Sequence, residues 1–453
     1  MSGDTHASPE PMPLEPDGLG PGPQTRGWSP AEFTSAGAGE NPPKTSARLF
    51  SSFFERVPDP NMWRIYGITL ALGTAYGMAI SVLGIFLNGN GFKETDIGKL
   101  AAWFAGGIVA FSLPMGPLAR RFTNKRLLAI SLAGYAVAIA CFPFLTSFKA
   151  IAALRFFDGA CSVGVWVNSE SILLSRSGKE NKAFATSLYA IAVGCGYVLG
   201  PALAWLFSAF PIKFIYIAAG VISMCTSAYV LLRLDPDLRH EHSAPTTAGQ
   251  HAVGGSALSL LWRIKTSCFG TFAYGYFQAS VVLFLPVFLV NERHIASDST
   301  KLIPAFFAGG MLLFSNYAGR LGDRHGHLLT MRVLGTIGMT MVLGFAWLTS
   351  FPLMCLAVFV AGASLASISP VSLALQGVIV HPAEYERATS IYNAFYAAGM
   401  LLGPAISSYL FERHGGAVML EQLALMWVAF IAFAFLFRAD DPARLRAQTS
   451  NLG

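Results

Sequence analysis

Twelve long apolar segments between Met62 and Arg438 place the strongest constraint on how this chain can fold. Each segment is close to the ~20 residues that a helix needs to cross the hydrocarbon core of a bilayer. Only 12% of the 453 residues are charged, against roughly 25% in a typical soluble domain. The sequence therefore predicts an all-α polytopic membrane protein with twelve transmembrane helices. The expected spans are residues 63–87, 96–115, 127–146, 149–174, 183–207, 212–233, 266–290, 301–321, 328–348, 352–379, 387–411 and 417–437.

The chain also repeats itself after 203 residues, without a gap. The segment Phe104-Ala-Gly-Gly107 matches Phe307-Ala-Gly-Gly310, and Leu199-Gly-Pro201 matches Leu402-Gly-Pro404. A unit of six helices therefore occurs twice, and both copies begin on the same side of the membrane. We expect two parallel six-helix halves related by a pseudo-two-fold axis along the membrane normal, an arrangement that suits alternating access.

The segments outside the two halves have a different composition. The first 60 residues hold 11 of the 25 prolines and show no hydrophobic period, which predicts a disordered tail. The segment between the halves is polar and rich in Gly, Ala and Ser, as flexible linkers are. The expected organisation is a disordered cytoplasmic tail at 1–61, a first half at 62–233, a cytoplasmic linker at 234–262, a second half at 263–438 and a cytoplasmic tail at 439–453.

The basic residues predict the orientation. With the N-terminus inside, the inner tails and loops carry 23 of the 31 Lys and Arg residues, and the outer loops carry seven. Cytoplasmic loops of membrane proteins show this excess of positive charge. We therefore expect a multi-pass protein of the cytoplasmic (inner) membrane with both termini in the cytoplasm.

A polar stripe on the fourth helix is the first candidate for function. At 100° per residue, Arg155, Asp158, Ser162, Trp166 and Ser169 fall within about 60° of one line on that helix. Asp158 is the only acidic residue deep in any segment, and an ionisable residue there is a functional hypothesis by default. We expect Asp158 to exchange protons under the influence of Arg155. The alternative is a static ion pair that braces neighbouring helices.

The loop after the second helix of each half carries a recognisable motif. In the second half it reads Gly319-Arg-Leu-Gly-Asp323-Arg324-His-Gly326. In the first half Arg120 stands in the place of the aspartate and Thr123 in the place of the last glycine. Together with the twelve-helix repeat, this loop resembles the major facilitator superfamily of secondary transporters over about residues 62–438.

The resemblance implies a gating role for these loops. In the family the loop aspartate faces the positive start of a helix in the opposite half, where a carboxylate gains roughly 0.3–1 kcal/mol. Asp323 can act in this way, whereas the latch of the first half, with Arg120, must be weaker or differently built. For Glu170 we expect a salt bridge to the basic loop, with a second proton site as the alternative. The residues expected to act in gating are Glu170, Arg120, Arg121, Gly319, Asp323, Arg324 and Gly326.

Two helix motifs strengthen the resemblance. Arg155-x-x-Asp158-Gly159 resembles the family pattern associated with proton coupling in exporters. The fifth helix resembles the antiporter motif, although Ala204 and Trp205 replace its usual trailing glycine pair. Close helix packing is the simpler interpretation of the glycines. The residues concerned are Gly196, Gly200 and Pro201, with their counterparts Gly399, Gly403 and Pro404 in the eleventh helix.

Polar and aromatic residues of several helices could line a substrate cavity for an amphipathic or aromatic molecule. Interhelical hydrogen bonding is the alternative for each of them. The candidates are Trp166, Tyr274, Gln278, Gln376, Tyr392, Asn393 and Tyr396.

The sequence thus predicts a secondary active transporter that exports a small organic solute in exchange for protons, by alternating access. We expect a monomer in the lipid bilayer that needs no cofactor and no metal and binds no nucleic acid. Proton-linked uptake of a metabolite is an alternative, because the first helix lacks the deep carboxylate of many exporters of this superfamily. A non-transporting receptor or lipid-handling protein on the same fold is another. An enzyme is disfavoured, because no metal cluster and no nucleophile paired with a base occurs in the apolar segments.

Overall fold

The computed structural model of the chain describes residues 59–177, 182–235, 257–381 and 384–438. Most of the expected N-terminal tail and linker, and all of the expected C-terminal tail, lie outside these residues. Within the described ranges the chain forms twelve long helices. They are α1 (Pro60–Gly89), α2 (Glu94–Phe122), α3 (Asn124–Cys141), α4 (Phe148–Arg176), α5 (Lys182–Leu206), α6 (Ile212–Arg233), α7 (Ala257–Asn291), α8 (Ile303–His325), α9 (His327–Phe345), α10 (Phe351–Ile379), α11 (Tyr385–His414) and α12 (Gly416–Leu436).

The lengths of these helices suit a membrane. Eleven of them, in the described part of the chain, are long and apolar enough to cross one. The remaining helix, α2, has 29 residues and is about 43 Å long at 1.5 Å per residue, more than the ~30 Å hydrocarbon core. The predicted all-α fold of twelve membrane helices is therefore confirmed.

The bundle has two ends, the tail face and the opposite face. The tail face carries the start of α1 at Pro60 and the end of α12 at Leu436. The opposite face carries the end of α1 at Gly89 and the start of α12 at Gly416.

The two halves repeat their packing as well as their sequence. A methyl group at Gly107 of α2 would clash with the carbonyl oxygen of Phe156 in α4, and one at Gly310 of α8 would clash with that of Phe359 in α10. Gly107 and Gly310 are 203 positions apart, and so are Phe156 and Phe359, as the sequence repeat requires. The predicted arrangement of two parallel six-helix halves is therefore confirmed.

Side-chain hydrogen bonds follow the same repeat. Ser169 lies 2.8 Å from the hydroxyl of Tyr189, and Ser372 lies 2.9 Å from the hydroxyl of Tyr392. These bonds join α4 to α5 in the first half and α10 to α11 in the second.

Among the predicted helix starts, that of α7 differs most from the structure. α7 begins at Ala257, so residues 257–262 are helical although they were expected in the linker. The apolar segment begins only after Arg263 and Lys265, whereas the helix begins before them. This earlier start places Trp262 against Phe437, with ring centroids 5.7 Å apart. In α10, a π-helical stretch at Gly362–Ala366 interrupts the α-helix, a feature common near functional sites.

Candidate functional site

A cavity of ≈ 450 Å³ lies between the two halves. Its volume falls in the range of small-molecule sites. Residues of α1, α2, α4 and α5 line it from the first half, and residues of α7, α8 and α11 line it from the second. Most of the wall is apolar. The polar and aromatic-polar side chains in the wall are those of Tyr76, Ser112, Arg155, Ser162, Trp166, Tyr197, Gln278, Asn393 and Tyr396.

Glycines bring the helices around the cavity into close contact. A methyl group at Gly196 would lie 2.6 Å from the carbonyl oxygen of Leu70, and one at Gly200 would clash with that of Thr74. The same holds between α11 and α7, where Gly399 and Gly403 pack against the backbone of α7. Pro201 and Pro404 follow these glycines inside their helices and line the cavity.

A buried ion pair forms one wall of the cavity. The Nη1 atom of Arg155 lies 2.5 Å from Oδ2 of Asp158, one helical turn away on α4. Ser162 donates to the other carboxylate oxygen at 3.4 Å, and the guanidinium lies 4.3 Å from the ring centroid of Phe104. Arg155 is 9% exposed and Asp158 is 2% exposed.

The two members of the ion pair differ in their access to the central cavity, although both line a smaller space beside it. Arg155 lines the central cavity, whereas Asp158 is not among the residues of its wall. Asp158 instead lines a separate space of ≈ 20 Å³ between α1, α3, α4 and α6, together with Tyr135 and Tyr216. Both tyrosine hydroxyls are buried and have no hydrogen-bond partner among the described residues.

Tyrosine rings form the centre of the cavity wall. Tyr76 and Tyr197 of the first half lie 5.6 Å apart between ring centroids. In the second half Tyr396 stacks on Tyr274 at 6.0 Å and donates to Oε1 of Gln278 at 2.9 Å.

The structure brings four of the seven expected substrate residues into the cavity wall and leaves three outside it. Tyr274 lies behind Tyr396 and points to the sulfur of Met311 at 3.9 Å. Gln376 is 2% exposed and donates to Thr389. Tyr392 bonds to Ser372. The residues in the wall are Trp166, Gln278, Asn393 and Tyr396.

Two central wall residues, Tyr76 and Tyr197, were missed by the sequence reasoning. Tyr76 directly precedes Gly77, and Tyr197 directly follows Gly196. Both glycines lie in the contact between α1 and α5. Aromatic residues beside such packing glycines are therefore a signal that could have identified them.

The expected gating residues lie near the tail face. Asp323 is exposed and lies 3.2 Å from Nε2 of His327, in its own half. No ion pair between Asp323 and a described residue of the opposite half accompanies this contact. Arg324 is exposed, and a methyl group at Gly319 would meet nothing within 4 Å. Gly326 ends α8 with a positive φ of 98°.

In the first half the corresponding residues are also at the surface. Glu170 is exposed and forms no ion pair with a described side chain. Arg121 is exposed and lies 5.4 Å from the ring centroid of Phe122. The side chain of Arg120 lies outside the described part of the structure.

Polar contacts join the halves at the opposite face. Asn291 donates to Asn88 at 3.2 Å between α7 and α1. Glu412 of α11 accepts from the backbone and the hydroxyl of Thr95 at the start of α2. Lys301, 2% exposed, donates to Ser208 at 2.9 Å. These contacts hold the two halves together at that face.

Near the tail face, the ion pairs between described residues stay within one half. Arg64 pairs with Asp235 and Arg176 with Asp59 in the first half. Arg263 pairs with Glu384 in the second.

Comparison with known proteins agrees with this architecture. The family model described as Major Facilitator Superfamily matches residues 65–266 and again 267–451. The chain is 23% identical to an uncharacterised transporter of this type, YfkF of Bacillus subtilis, over 79% of the chain and 92% of the relative. It is 21% identical to the uncharacterised transporter YcaD of Salmonella enteritidis, over 83% and 94% of the two chains.

Solved structures show the same fold. A bacterial homologue of the human lysosomal transporter Spinster, in an inward-facing and occupied conformation, has a TM-score of 0.70 at 14% identity, over 84% of this chain and 97% of that one. The nucleoside transporter NupG has a TM-score of 0.69 at 15% identity, over 84% and 99%. The chain belongs to the Major Facilitator Superfamily and is a membrane transporter, not an enzyme.

Proposed function

We propose that the protein is a proton-coupled secondary transporter that moves a small organic solute by alternating access. The observation that carries this proposal is the buried Arg155–Asp158 ion pair at the wall of the central cavity. A carboxylate held in a membrane interior by one partner can exist charged or protonated, and the choice depends on whether the partner stays in place.

The conformation supports alternating access. Three polar contacts between the halves lie at the opposite face, while Asp323 near the tail face keeps a partner within its own half. A second conformation would open the opposite face and close the tail face around the same cavity. With the tail face in the cytoplasm, as the positive-inside rule indicates, the present conformation opens inward, in a cytoplasmic membrane, with both termini inside.

Outward transport in exchange for protons is the direction that the motifs of α4 and α5 favour. Proton-linked uptake is the second candidate, and one observation favours it. The cation Arg155 faces the cavity and the carboxylate of Asp158 lies behind it, so the cavity does not present the carboxylate to a cationic drug.

Reconstituted liposomes that contain the pH indicator pyranine test the proposal. The purified protein is challenged with amino acids, sugars, aromatic carboxylates and cationic drugs, and the internal pH is followed. We expect at least one solute class to move protons through the wild type and none through Asp158→Asn. The matched control is Asp96→Asn, because the ion pair that Asp96 forms among the described residues is with Lys99 of the same helix, α2.

The direction follows from the sign of the pH change. A solute added outside that acidifies the lumen indicates symport, and one that makes it alkaline indicates exchange. Solute flux without any pH change, or proton-linked flux that survives in Asp158→Asn, contradicts the coupling mechanism. Absence of any flux through folded, correctly inserted protein would favour a non-transporting receptor on this fold.

A further inference from the structure

The charged groups at the cavity wall differ in their access to a bound solute. Arg155 is the basic side chain that lines the central cavity, and no acidic side chain of the described residues lines it. Arg155 lines both the central cavity and the small space that Asp158 lines, and Ser162, which also lines the cavity, donates to Oδ1 of Asp158. A solute therefore meets a guanidinium first.

The guanidinium cannot remain without a negative partner. It is 9% exposed and lies among apolar groups, with the ring of Phe104 at 4.3 Å. Removing one member of a buried ion pair is strongly destabilising because the other charge is left uncompensated. Protonation of Asp158 would therefore leave Arg155 in need of another anion.

We propose that the transported solute is an organic anion with a flat, aromatic body, and that its carboxylate replaces Asp158 on the guanidinium of Arg155 while Asp158 takes up a proton. This inference rests on the proposed proton-coupled transport and names its solute class. The step balances in charge, because one anion and one proton enter together and the Arg155–Asp158 pair becomes an Arg155–solute pair and a neutral carboxylic acid.

The structure offers the released carboxyl group a second set of partners. Tyr135 of α3 and Tyr216 of α6 line the same small space as Asp158, and their buried hydroxyls are unpaired among the described residues. A protonated carboxylic acid can donate to one hydroxyl and accept from another. The titratable and charged groups facing Asp158 are Tyr76 from α1, Tyr135 from α3, Arg155 and Cys161 from α4, and Tyr216 from α6.

The rest of the cavity suits a flat body. The rings of Tyr76, Tyr197 and Tyr396 can stack on an aromatic group. The amide groups of Gln278 and Asn393 can bond to polar substituents on its edge. Bidentate binding of a carboxylate is the strongest use of a guanidinium, so Arg155 would fix the orientation.

Coupled binding has a consequence for direction. Because the anion and the proton bind together, they cross the membrane in the same direction, and an inward proton gradient would drive uptake. The inference therefore favours the second candidate for direction.

Three probes with the same aromatic body and similar size test the inference: 2-naphthoate, 2-naphthamide and 2-naphthylmethylammonium. Their binding to the full-length protein in detergent is measured by calorimetry in two buffers that differ in ionisation enthalpy, which reports protons taken up. We expect 2-naphthoate to bind at least about tenfold more tightly than the amide, the difference that a charge-assisted hydrogen bond gives. We expect about one proton to be taken up per anion near neutral pH.

Variants separate the roles of the two residues. Asp158→Asn should still bind 2-naphthoate, but without proton uptake, whereas Arg155→Gln should lose the preference for the anion. The double variant Arg155→Gln/Asp158→Asn leaves no unpaired charge, so it should fold and show the same loss. Arg332→Gln is the control, because Arg332 is also buried but lies against Phe435, away from the cavity.

Several results would overturn the inference. These are equal or tighter binding of the amide or the ammonium probe, anion binding without proton uptake by the wild type, and no binding of any of the carboxylates benzoate, 2-naphthoate and indole-3-acetate at millimolar concentration. Proton-coupled flux of a neutral solute would contradict the inferred anion site but would still support the proposed proton-coupled transport. Anion binding with proton uptake but without flux in liposomes would support the anion site and contradict the proposed transport.

Discussion

Thr123 and Gly326 occupy the same position of the repeat and have the same unusual backbone. Gly326 has a φ of 98°, and Thr123 has a φ of 68° with a ψ of 145°. A β-branched residue rarely adopts this region, which is nearly restricted to glycine. Thr123 directly precedes α3, and Gly326 directly precedes α9. The loop after α2 thus keeps the geometry of the glycine loop although the glycine is missing.

We expect Thr123→Gly to stabilise the protein by about 1 kcal/mol, because backbone strain of this kind costs about 1–3 kcal/mol and a glycine cap loses only a few tenths. The hydroxyl of Thr123 accepts from Arg126 at 3.5 Å, a long bond whose loss matters little. Thermal unfolding in detergent measures the change. Gly326→Thr should be destabilising by a similar amount, and equal stability of all three proteins would refute the argument.

Asp235 joins α6 to α1 near the tail face. The side chain of Asn61 donates to Oδ2 of Asp235 at 2.8 Å, and Arg64 lies 3.3 Å from the same oxygen. The hydrogen bond from Asn61 lowers the pKa of Asp235 below its ordinary value of 3.8, and the charges of Arg64 and Arg176 lower it further. The carboxylate is therefore better stabilised in the folded protein than in the unfolded chain.

A lowered pKa contributes stability above the unfolded value, and the contribution is lost as the pH falls through the folded value. We therefore expect the wild type to melt at a higher temperature than Asp235→Asn at neutral pH. The difference should vanish as the pH falls below 3.8. Scanning fluorimetry of both proteins across this range measures it, and a difference that persists in acid would show that the carboxylate charge is not its cause.

At the scale of helices, glycine contacts set the distances between α1 and α5 and between α7 and α11. Gly200 packs against the carbonyl of Thr74, and Gly403 against that of Tyr276. Two helix backbones that touch cannot separate for a side chain without moving the walls of the cavity. Small residues drive close packing in this way because no hydrophobic effect holds helices together in lipid.

We expect Gly200→Ala to destabilise the protein by about 1–3 kcal/mol, the cost of overpacking a tight contact. Gly67→Ala in α1 is the control, because a methyl group there meets nothing within 4 Å. That substitution should be neutral or stabilising by about 0.5–1 kcal/mol, since alanine favours helices over glycine. The thermal stabilities of both variants in detergent decide the matter; a Gly200→Ala protein as stable as Gly67→Ala would contradict the packing argument.

The sequence was sufficient to predict the helices but not which polar side chains reach the cavity. Apolar length alone identifies a membrane helix, so α1 to α12 were all expected. Gln376 and Tyr392 were candidates for the cavity wall, with interhelical hydrogen bonding as the alternative. In the folded protein they bond to Thr389 and Ser372 instead, because most buried polar groups of a folded protein find a hydrogen-bond partner. A single sequence does not show which partner a side chain finds.

The ion pair was easier to predict for a physical reason. Arg155 and Asp158 are three residues apart on one helix, so helical geometry alone brings them together. Their two faces were not predictable. Whether Arg155 or Asp158 borders the central cavity depends on how α4 is rotated against α1, α3 and α6, which local periodicity does not determine.

At the scale of the whole molecule, the contacts at the opposite face hold the present conformation. Glu412 accepts two hydrogen bonds from Thr95 and lies 3.8 Å from Lys93, so one side chain of α11 binds the start of α2. Lys301 and Asn291 add contacts between the halves at the same face. Any conformation that opens the cavity toward this face must break all of them.

We expect Glu412→Ala to shift the protein toward that second conformation by about tenfold, because a hydrogen bond to a charged group contributes about 1.5–3 kcal/mol. The measurement is the rate at which an impermeant maleimide, applied from the opposite face, labels Ala279→Cys in the cavity wall of a variant without the exposed cysteines Cys141 and Cys225. Asp96→Asn is the control at the same face. An unchanged labelling rate would mean that Glu412 does not hold the halves together.

The hydrogen bond between Asn88 and Asn291 joins one position of the repeat to its own copy. In a symmetric homodimer, a residue meets its own copy only where the rotation axis passes. The bond therefore marks the axis at the opposite face, and it is a contact that needs no covalent link between the halves. An ancestor of six helices could have formed the same interface as a homodimer, and gene fusion would then have allowed Arg155 and its counterpart Val358 to evolve apart.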